Sequence, residues 1–107
     1  MTAKNIQIIT TTPKAKEAEK IANLLVDKKL AACVQVIGPI TSIYKWKGKK
    51  EKSKEYLCLI KATRNLYYKI EKEIKGIHPY ETPEIIATRI IAGNKDYLNW
   101  IDSETLS

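Results

Sequence analysis

Several kinds of residue are scarce in this 107-residue chain, and each scarcity excludes a class of protein. There is no phenylalanine, and there are only four glycines and four prolines, which argues against disorder and against collagen-like repeats. No apolar run approaches the roughly 20 residues that a membrane-spanning helix needs. We therefore expect one folded domain over residues 1–107 and no membrane partner.

Histidine and cysteine are also scarce. His78 is the only histidine, and Cys33 and Cys58 form neither a C-x-x-C pair nor a disulfide framework. The chain has no nucleophile elbow, phosphate-binding loop or glycine-rich dinucleotide motif, so we expect it not to be an enzyme. Free cysteines and a start without the apolar core of a signal peptide predict a cytoplasmic location.

The charge balance is basic, with 19 lysines and arginines against 12 acidic residues and a net charge of +7. Only Arg64 and Arg89 are arginines, whereas proteins that read nucleic-acid sequence favour arginine for bidentate contacts to bases. We therefore expect no nucleic-acid partner. The abundance of lysine, glutamate and isoleucine is typical of heat-stable proteins or of an AT-rich source, and we expect a thermostable chain.

Hydrophobic spacing and turn residues divide the chain into seven elements. Thr12-Pro13 reads as the start of a helix, Thr63 as the cap of a second helix, and Gly76 as its end. Gly38-Pro39 predicts a bulge within a long strand, and Lys47-Gly48 predicts the turn that follows it. Strands are predicted over residues 5–11, 31–47, 49–62 and 84–91, and helices over 13–29, over 64–75 and shortly after Gly93-Asn94.

This order predicts an α+β fold of the ferredoxin-like type, βαββαβ with an added C-terminal helix. Right-handed crossovers would place both main helices on one face of a four-stranded antiparallel sheet. The segment from Tyr56 to Lys61 is apolar on both faces, so we expect it in a central strand. Cys33 and Cys58 fall about four positions out of register in the predicted hairpin, which argues against a disulfide.

The hairpin between residues 31 and 62 is unusually long. Each arm of about 14 residues would extend about 46 Å at roughly 3.3 Å per residue, whereas a 12-residue helix covers only about 18 Å. The outer half carries Ile43, Tyr44 and Trp46 beside six lysines. An uncovered ribbon is marginally stable, so we expect it to pair with another copy of the chain, although lysines could instead shield a free tip.

His78 and Cys33 are the candidate metal ligands. One histidine cannot make a closed structural zinc site, which takes four protein ligands, but it could contribute to an open or intersubunit site with thiolate or carboxylate partners such as Glu81. A lone histidine is more often structural, and Cys33 is better explained as a small buried hydrophobic residue. Spacing alone does not decide between these interpretations.

Four segments together resemble the CutA family of divalent-cation tolerance proteins. They occur in the family's order between about residues 6 and 102, and the most specific combines Leu-Ala-Ala-Cys with a later His-Pro-Tyr-x-x-Pro-Glu. The segments are Lys29-Leu30-Ala31-Ala32-Cys33, Thr41-Ser42-Ile43-Tyr44-Lys45-Trp46-Lys47-Gly48-Lys49, His78-Pro79-Tyr80-Glu81-Thr82-Pro83-Glu84 and Tyr97-Leu98-Asn99-Trp100.

The resemblance implies a ferredoxin-like subunit in a homotrimer similar in architecture to the nitrogen-signalling PII proteins, with Tyr44, Trp46 and Tyr80 at the interface. It also implies tolerance of copper and other divalent ions. In some bacterial members the proposed copper ligands are a cysteine on the first strand and two adjacent histidines before the proline. Here those positions hold Thr10, Ile77 and His78.

Two functions follow as hypotheses. The first is a trimeric divalent-metal binding protein with copper as the favoured ion, bound by His78 with Cys33 or Glu81. The alternative is a PII-like signalling or scaffold module, which would bind a small anionic ligand or a protein partner in clefts near Trp46 and Tyr80.

Overall fold

A computed structural model describes residues 4–106 of the chain. It contains four strands, three α-helices and one turn of 3₁₀ helix at Arg64–Leu66. The strands are β1 (Asn5–Thr12), β2 (Cys33–Trp46), β3 (Lys49–Thr63) and β4 (Ile85–Arg89), and the helices are α1 (Ala15–Asp27), α2 (Tyr67–Ile77) and α3 (Lys95–Ser103).

The four strands form one antiparallel sheet in the order β2-β3-β1-β4. This is the predicted ferredoxin-like α+β arrangement, with β3 in the interior of the sheet because its central segment is apolar on both faces. The register pairs Ile8 with Ile60 and with Ala87, and it places Thr10 opposite Cys58. The predicted order of the elements is thus confirmed.

The core lies between one face of the sheet and the helices. Because side chains alternate along a strand, Ile6, Ile8, Cys58 and Ile60 share the face that the helices cover. All are less than 5% exposed, and they form one cluster with apolar residues of α1 and α2. The helical members of this cluster are Ala18, Ile21, Leu25, Ile70 and Ile74.

The opposite face of the sheet is only partly covered. By the same alternation, this open face carries Ile9, Leu57 and Leu59, which are half-buried, and Ile37 and Ile86, which are about half exposed at 47% and 49%. Helix α3 packs across β1 and β3 at one end of the sheet. The centre of the open face is a continuous apolar surface.

The long hairpin has the predicted bulge and turn. Lys47 and Gly48 both have positive φ, 51° and 81°, as the two central residues of a type I′ turn require. The β2–β3 register shifts between Ile37 and Ile40. At this bulge a Cβ on Gly38 would overlap the ring of Tyr56, so the absence of a side chain permits the close approach of the two strands.

The helix boundaries differ from the sequence prediction. Helix α1 begins at Ala15, since the Thr12 hydroxyl donates to the Lys14 carbonyl oxygen and does not cap the helix. Thr63 likewise bonds to the side chain of Asn65, and one 3₁₀ turn precedes α2. Gly76 does not end α2, which continues to Ile77. By contrast, the Asn94 side chain caps α3 as predicted, accepting bonds from the amides of Asp96 and Tyr97.

The register separates the two cysteines. Cys33 lies opposite Lys61, whereas Cys58 lies opposite Val36, and both thiols are free. Cys58 is fully buried, and burial raises its pKa to about 11. It is therefore a core residue, as predicted.

Within the part of the chain that the structure describes, no helix is both long enough and apolar enough to cross a membrane.

Candidate ligand-binding groove

A groove of about 680 Å³ lies where the outer half of the hairpin meets the connector between α2 and β4. The connector, residues 78–84, contains two prolines; His78, which precedes the first of them, has extended backbone, and the chain then bends over residues 79–82. The lining residues come from three strands and the connector: Thr11, Ser42, Ile43, Tyr44, Trp46, Glu55, Pro79, Tyr80, Glu81, Thr82 and Glu84.

A buried carboxylate anchors the connector to the hairpin. Glu55 is only 5% exposed, and its Oε2 accepts a 2.7 Å hydrogen bond from the Tyr80 hydroxyl. Burial raises the pKa of the Tyr80 phenol, and the adjacent Glu55 raises it further, so Tyr80 stays protonated and remains a donor. This pair fixes the aromatic wall of the groove.

His78 anchors the other end of the connector through both ring nitrogens. Its Nε2 lies 2.8 Å from the carbonyl oxygen of Thr11, and its Nδ1 accepts a 3.1 Å bond from the Tyr80 amide. Because a carbonyl can only accept, the network assigns the proton to Nε2 of a neutral ring. Burial lowers the pKa of His78, an effect opposed by the bond to Thr11 and by the charges of Glu17 and Glu55.

A single subunit does not gather the three predicted metal ligands. The only lone pair of the neutral His78 ring already accepts the Tyr80 amide, so a metal would have to displace that bond. Glu81 lines the groove, but Cys33 lies level with Gln7, about 13 Å along the strands from Thr11 at roughly 3.3 Å per residue. Among residues 4–106, no His, Cys, Asp or Glu side chains form a group of three that could hold a metal. Metal binding by His78, Cys33 and Glu81 therefore stays a prediction.

Of the two positions where the resemblance implied copper ligands, Thr10 is fully buried and Ile77 is half-buried. Thr10 is fully buried beneath α1, and its hydroxyl oxygen has no hydrogen-bond partner among the described residues. Ile77 packs against the hydrophobic core. Neither side chain offers a strong copper ligand, because copper prefers imidazole and sulfur donors.

The three predicted interface residues, Tyr44, Trp46 and Tyr80, all line the same groove. Sequence reasoning missed Glu55, which joins Glu81 and Glu84 of the connector as a third carboxylate in the groove. One signal could have found Glu55, since it is an acidic residue directly before an apolar strand segment where a charge requires a partner.

Residues 6–104 match the sequence profile of the CutA1 divalent ion tolerance protein family. The chain belongs to this family. The profile covers the three helices and all four strands except Asn5, so the family assignment extends to both the groove and the hairpin.

Individual relatives agree with the profile. The chain is 40% identical over 98 residues to the divalent-cation tolerance protein CutA of Thermus thermophilus, covering 92% of this chain and 95% of that protein. It is 44% identical over 97 residues to protein CutA of Mus musculus, covering 91% of this chain. The chain spans about half the length of the mouse protein, at 55%.

Solved structures have the same fold. The structure of the divalent cation tolerance protein from Thermus thermophilus superimposes with a TM-score of 0.92 at 39% identity, covering 94% of this chain and 98% of that one. The CutA1 structure from a psychrotrophic Shewanella bacterium superimposes with a TM-score of 0.96 at 42% identity, and both chains are fully covered.

The comparisons overturn the predicted cytoplasmic location. Protein CutA of Arabidopsis thaliana is named chloroplastic, and the structure from Archaeoglobus fulgidus is described as a periplasmic divalent cation tolerance protein. Two free cysteines and the first residues of one chain are thus insufficient to assign a compartment in this family.

Proposed function

We propose that the chain acts in divalent-cation tolerance as a homotrimer that binds divalent metal, with copper favoured, where its subunits meet. The observation that carries this proposal is the position of the groove. Three aromatic side chains and three glutamates line it at the edge of an apolar sheet face that the subunit leaves uncovered, and the only histidine lies beside it, bonded to the carbonyl oxygen of Thr11 in the lining.

The trimer is supported by what one subunit leaves exposed. Ile37 and Ile86 on the open face are 47% and 49% exposed, and Trp46 and Tyr44 on the hairpin are 40% and 42% exposed. Since these side chains share one side of β2, β3 and β4, a second copy could cover them together. If each copy covers the open face of the next, three copies can close into a ring in which no apolar face stays free.

The metal site is proposed at the boundary because one subunit supplies too few ligands. Glu81 is exposed in the groove, and His78 becomes a ligand only when its Nδ1 exchanges the Tyr80 amide for metal. That exchange weakens binding, so we expect low affinity for copper(II). Cys33 could join only from a neighbouring subunit, since its own subunit holds it far from His78.

The alternative of a small anionic ligand in the groove is less well supported. The charged side chains that line it are Glu55, Glu81 and Glu84, and a cluster of carboxylates repels an anion. We propose a binding role and no catalysis, because neutral His78 uses both nitrogens in structural hydrogen bonds.

Isothermal titration with copper(II) tests the metal proposal. Wild type should bind copper(II), and His78→Ala and Glu81→Gln should each bind it more weakly, because each removes a proposed ligand. Glu104→Gln, an exposed glutamate in the C-terminal turn, is the matched control and should bind like wild type. Equal affinity in wild type and His78→Ala would remove His78 from the site, and no heat in wild type would overturn the metal proposal.

A further inference from the structure

The outer hairpin separates its side chains by charge between its two faces. The register pairs Lys45 with Lys50, Ile43 with Lys52 and Thr41 with Lys54, and these pairs share one face of the ribbon. The alternating pairs put every acidic residue of the hairpin on the other face, with the aromatic residues. That other face carries Glu55, Ser42, Ser53, Tyr44, Glu51, Trp46 and Lys49.

The lysine face, defined as Lys45, Lys50, Lys52 and Lys54, lacks compensating charge. All four side chains are exposed, and none forms an ion pair with another described residue. Lys45 and Lys50 are directly opposite, so their Cβ atoms lie about 5 Å apart, a like-charge pairing that destabilises a hairpin. Residues 45–54 hold six lysines and one glutamate, which is most of the chain's net charge of +7.

The lysine face points to the side of the sheet that the proposed trimer leaves free. Lys50, Lys52 and Lys54 continue the alternation of Tyr56, Cys58 and Ile60, the face that packs against the helices. The apolar open face and the groove residues Tyr44, Trp46 and Glu55 lie on the opposite side, and Ile43 is the groove residue that shares the lysine face. A partner that binds the lysine face therefore does not compete with assembly, and the inference does not depend on the metal proposal.

We propose that the lysine face is a docking surface for the phosphate backbone of double-stranded nucleic acid. From Lys50 to Lys54 it extends about 13 Å at roughly 3.3 Å per residue, comparable with four phosphates of one strand at about 3.4 Å of axial rise each. A two-stranded ribbon also fits the major groove, which is about 12 Å wide. A narrow projecting ribbon would touch a flat anionic membrane mainly through its turn, so the duplex is favoured.

Binding should be independent of base sequence. The face has no arginine, and a lysine ammonium neutralises phosphate as a point charge without the planar fork that reads guanine. The scarcity of arginine predicted no nucleic-acid partner; the proposal departs from that expectation for contact with the backbone and keeps it for the reading of bases. Four phosphate contacts predict a slope of about −3.6 for log K against log salt concentration.

Fluorescence anisotropy with a labelled DNA duplex of about 12 base pairs tests the proposal. Wild type should bind two unrelated sequences equally, and its affinity should fall roughly 100-fold between about 50 and 200 mM salt. A variant with Lys45, Lys50, Lys52 and Lys54 all changed to glutamine should lose most of this affinity and most of the salt slope.

A second variant separates the surface from the net charge. Changing Lys16, Lys20, Lys72 and Lys75 to glutamine removes four exposed helical lysines and lowers the net charge equally. It should bind within about threefold of wild type, because only the hairpin offers the aligned row. Circular dichroism should show that both variants are folded. If the quadruple hairpin variant unfolds, the charge-reversing double variant Lys50→Glu with Lys52→Glu is tested in its place and should also lose most of the affinity for the duplex.

Three results would overturn the proposal. They are equal losses in the two quadruple variants, absence of wild-type binding at about 50 mM salt, and binding to phosphatidylserine vesicles without binding to the duplex.

Discussion

The hydroxyl of Tyr80 donates a 2.7 Å hydrogen bond to the carboxylate of Glu55, which is only 5% exposed. This bond joins the connector after α2 to the middle of β3, two segments 25 residues apart in the sequence. The shape of the groove depends on this bond, since removing the Tyr80 hydroxyl deprives the buried Glu55 carboxylate of a hydrogen-bond donor.

Tyr80→Phe should therefore lower the free energy of unfolding by about 1–3 kcal/mol, measured by urea denaturation. Tyr68→Phe is the matched control, because Tyr68 is 80% exposed, and it should change stability by less than about 0.5 kcal/mol. Equal effects of the two substitutions would show that the bond to Glu55 contributes nothing beyond an exposed hydroxyl.

Stability should fall with acidification in a way that depends on His78. Burial lowers the pKa of His78 in the folded protein, so the unfolded chain, with an ordinary pKa of about 6.5, takes up the proton first as the pH falls. Neutral His78 contributes fully to the free energy of unfolding above about pH 6.5. This contribution is lost progressively at lower pH, until the pH falls below the pKa of His78 in the folded protein. Protonation also converts Nδ1 into a donor that opposes the Tyr80 amide.

Urea denaturation of wild type and His78→Gln between about pH 5 and 8 measures this contribution. Glutamine can donate and accept but does not titrate, so the difference in stability between the two proteins should shrink toward acid pH. A difference that stays constant across this range would contradict the lowered pKa of His78.

Alanine should have opposite effects on stability at two of the glycines. Gly38→Ala should destabilise the protein by about 1–3 kcal/mol, because the new Cβ overlaps the ring of Tyr56 at the bulge. Gly76→Ala should stabilise it by about 0.5–1 kcal/mol, because Gly76 lies inside α2 and a Cβ there meets nothing within 4 Å. Thermal unfolding of both variants checks this, and a stabilised Gly38→Ala protein would be inconsistent with the close strand approach.

The cap of α3 can be tested independently. Asn94→Ala removes the acceptor for the amides of Asp96 and Tyr97 and should cost about 1 kcal/mol in urea denaturation. Asn99→Ala, at an exposed position inside the same helix, should be neutral or slightly stabilising. If Asn99→Ala proves the more harmful change, the capping assignment is wrong.

Sequence reasoning predicted the order of the elements because periodicity and turn chemistry are local. The turn at Lys47-Gly48 and the cap at Asn94 depend on neighbouring residues only. The starts of α1 and α2 were misplaced because Thr12 and Thr63 use their hydroxyls for other local bonds. A hydroxyl before an apolar repeat has several possible partners, and spacing does not choose among them.

The groove was only partly predictable, because it depends on contacts between distant segments. His78 donates from Nε2 to Thr11, 67 residues away, and the Tyr80 amide occupies the lone pair on Nδ1 that a metal would need. The separation of Cys33 from His78 likewise follows from the sheet register. The division of charge between the two faces of the hairpin could have been found earlier, because the turn at Lys47-Gly48 already fixed which residues alternate.

The central claim is that the open sheet face and the groove are the contact surface of a homotrimer, and the mass in solution tests it most directly. Light scattering should give about three times 12.2 kDa, unchanged on dilution to low micromolar concentration. Trp46→Asp should lower that mass by burying an unpaired charge at the contact, whereas Tyr68→Asp, on the exposed side of α2, should leave it unchanged. A wild-type mass of 12.2 kDa would contradict the account.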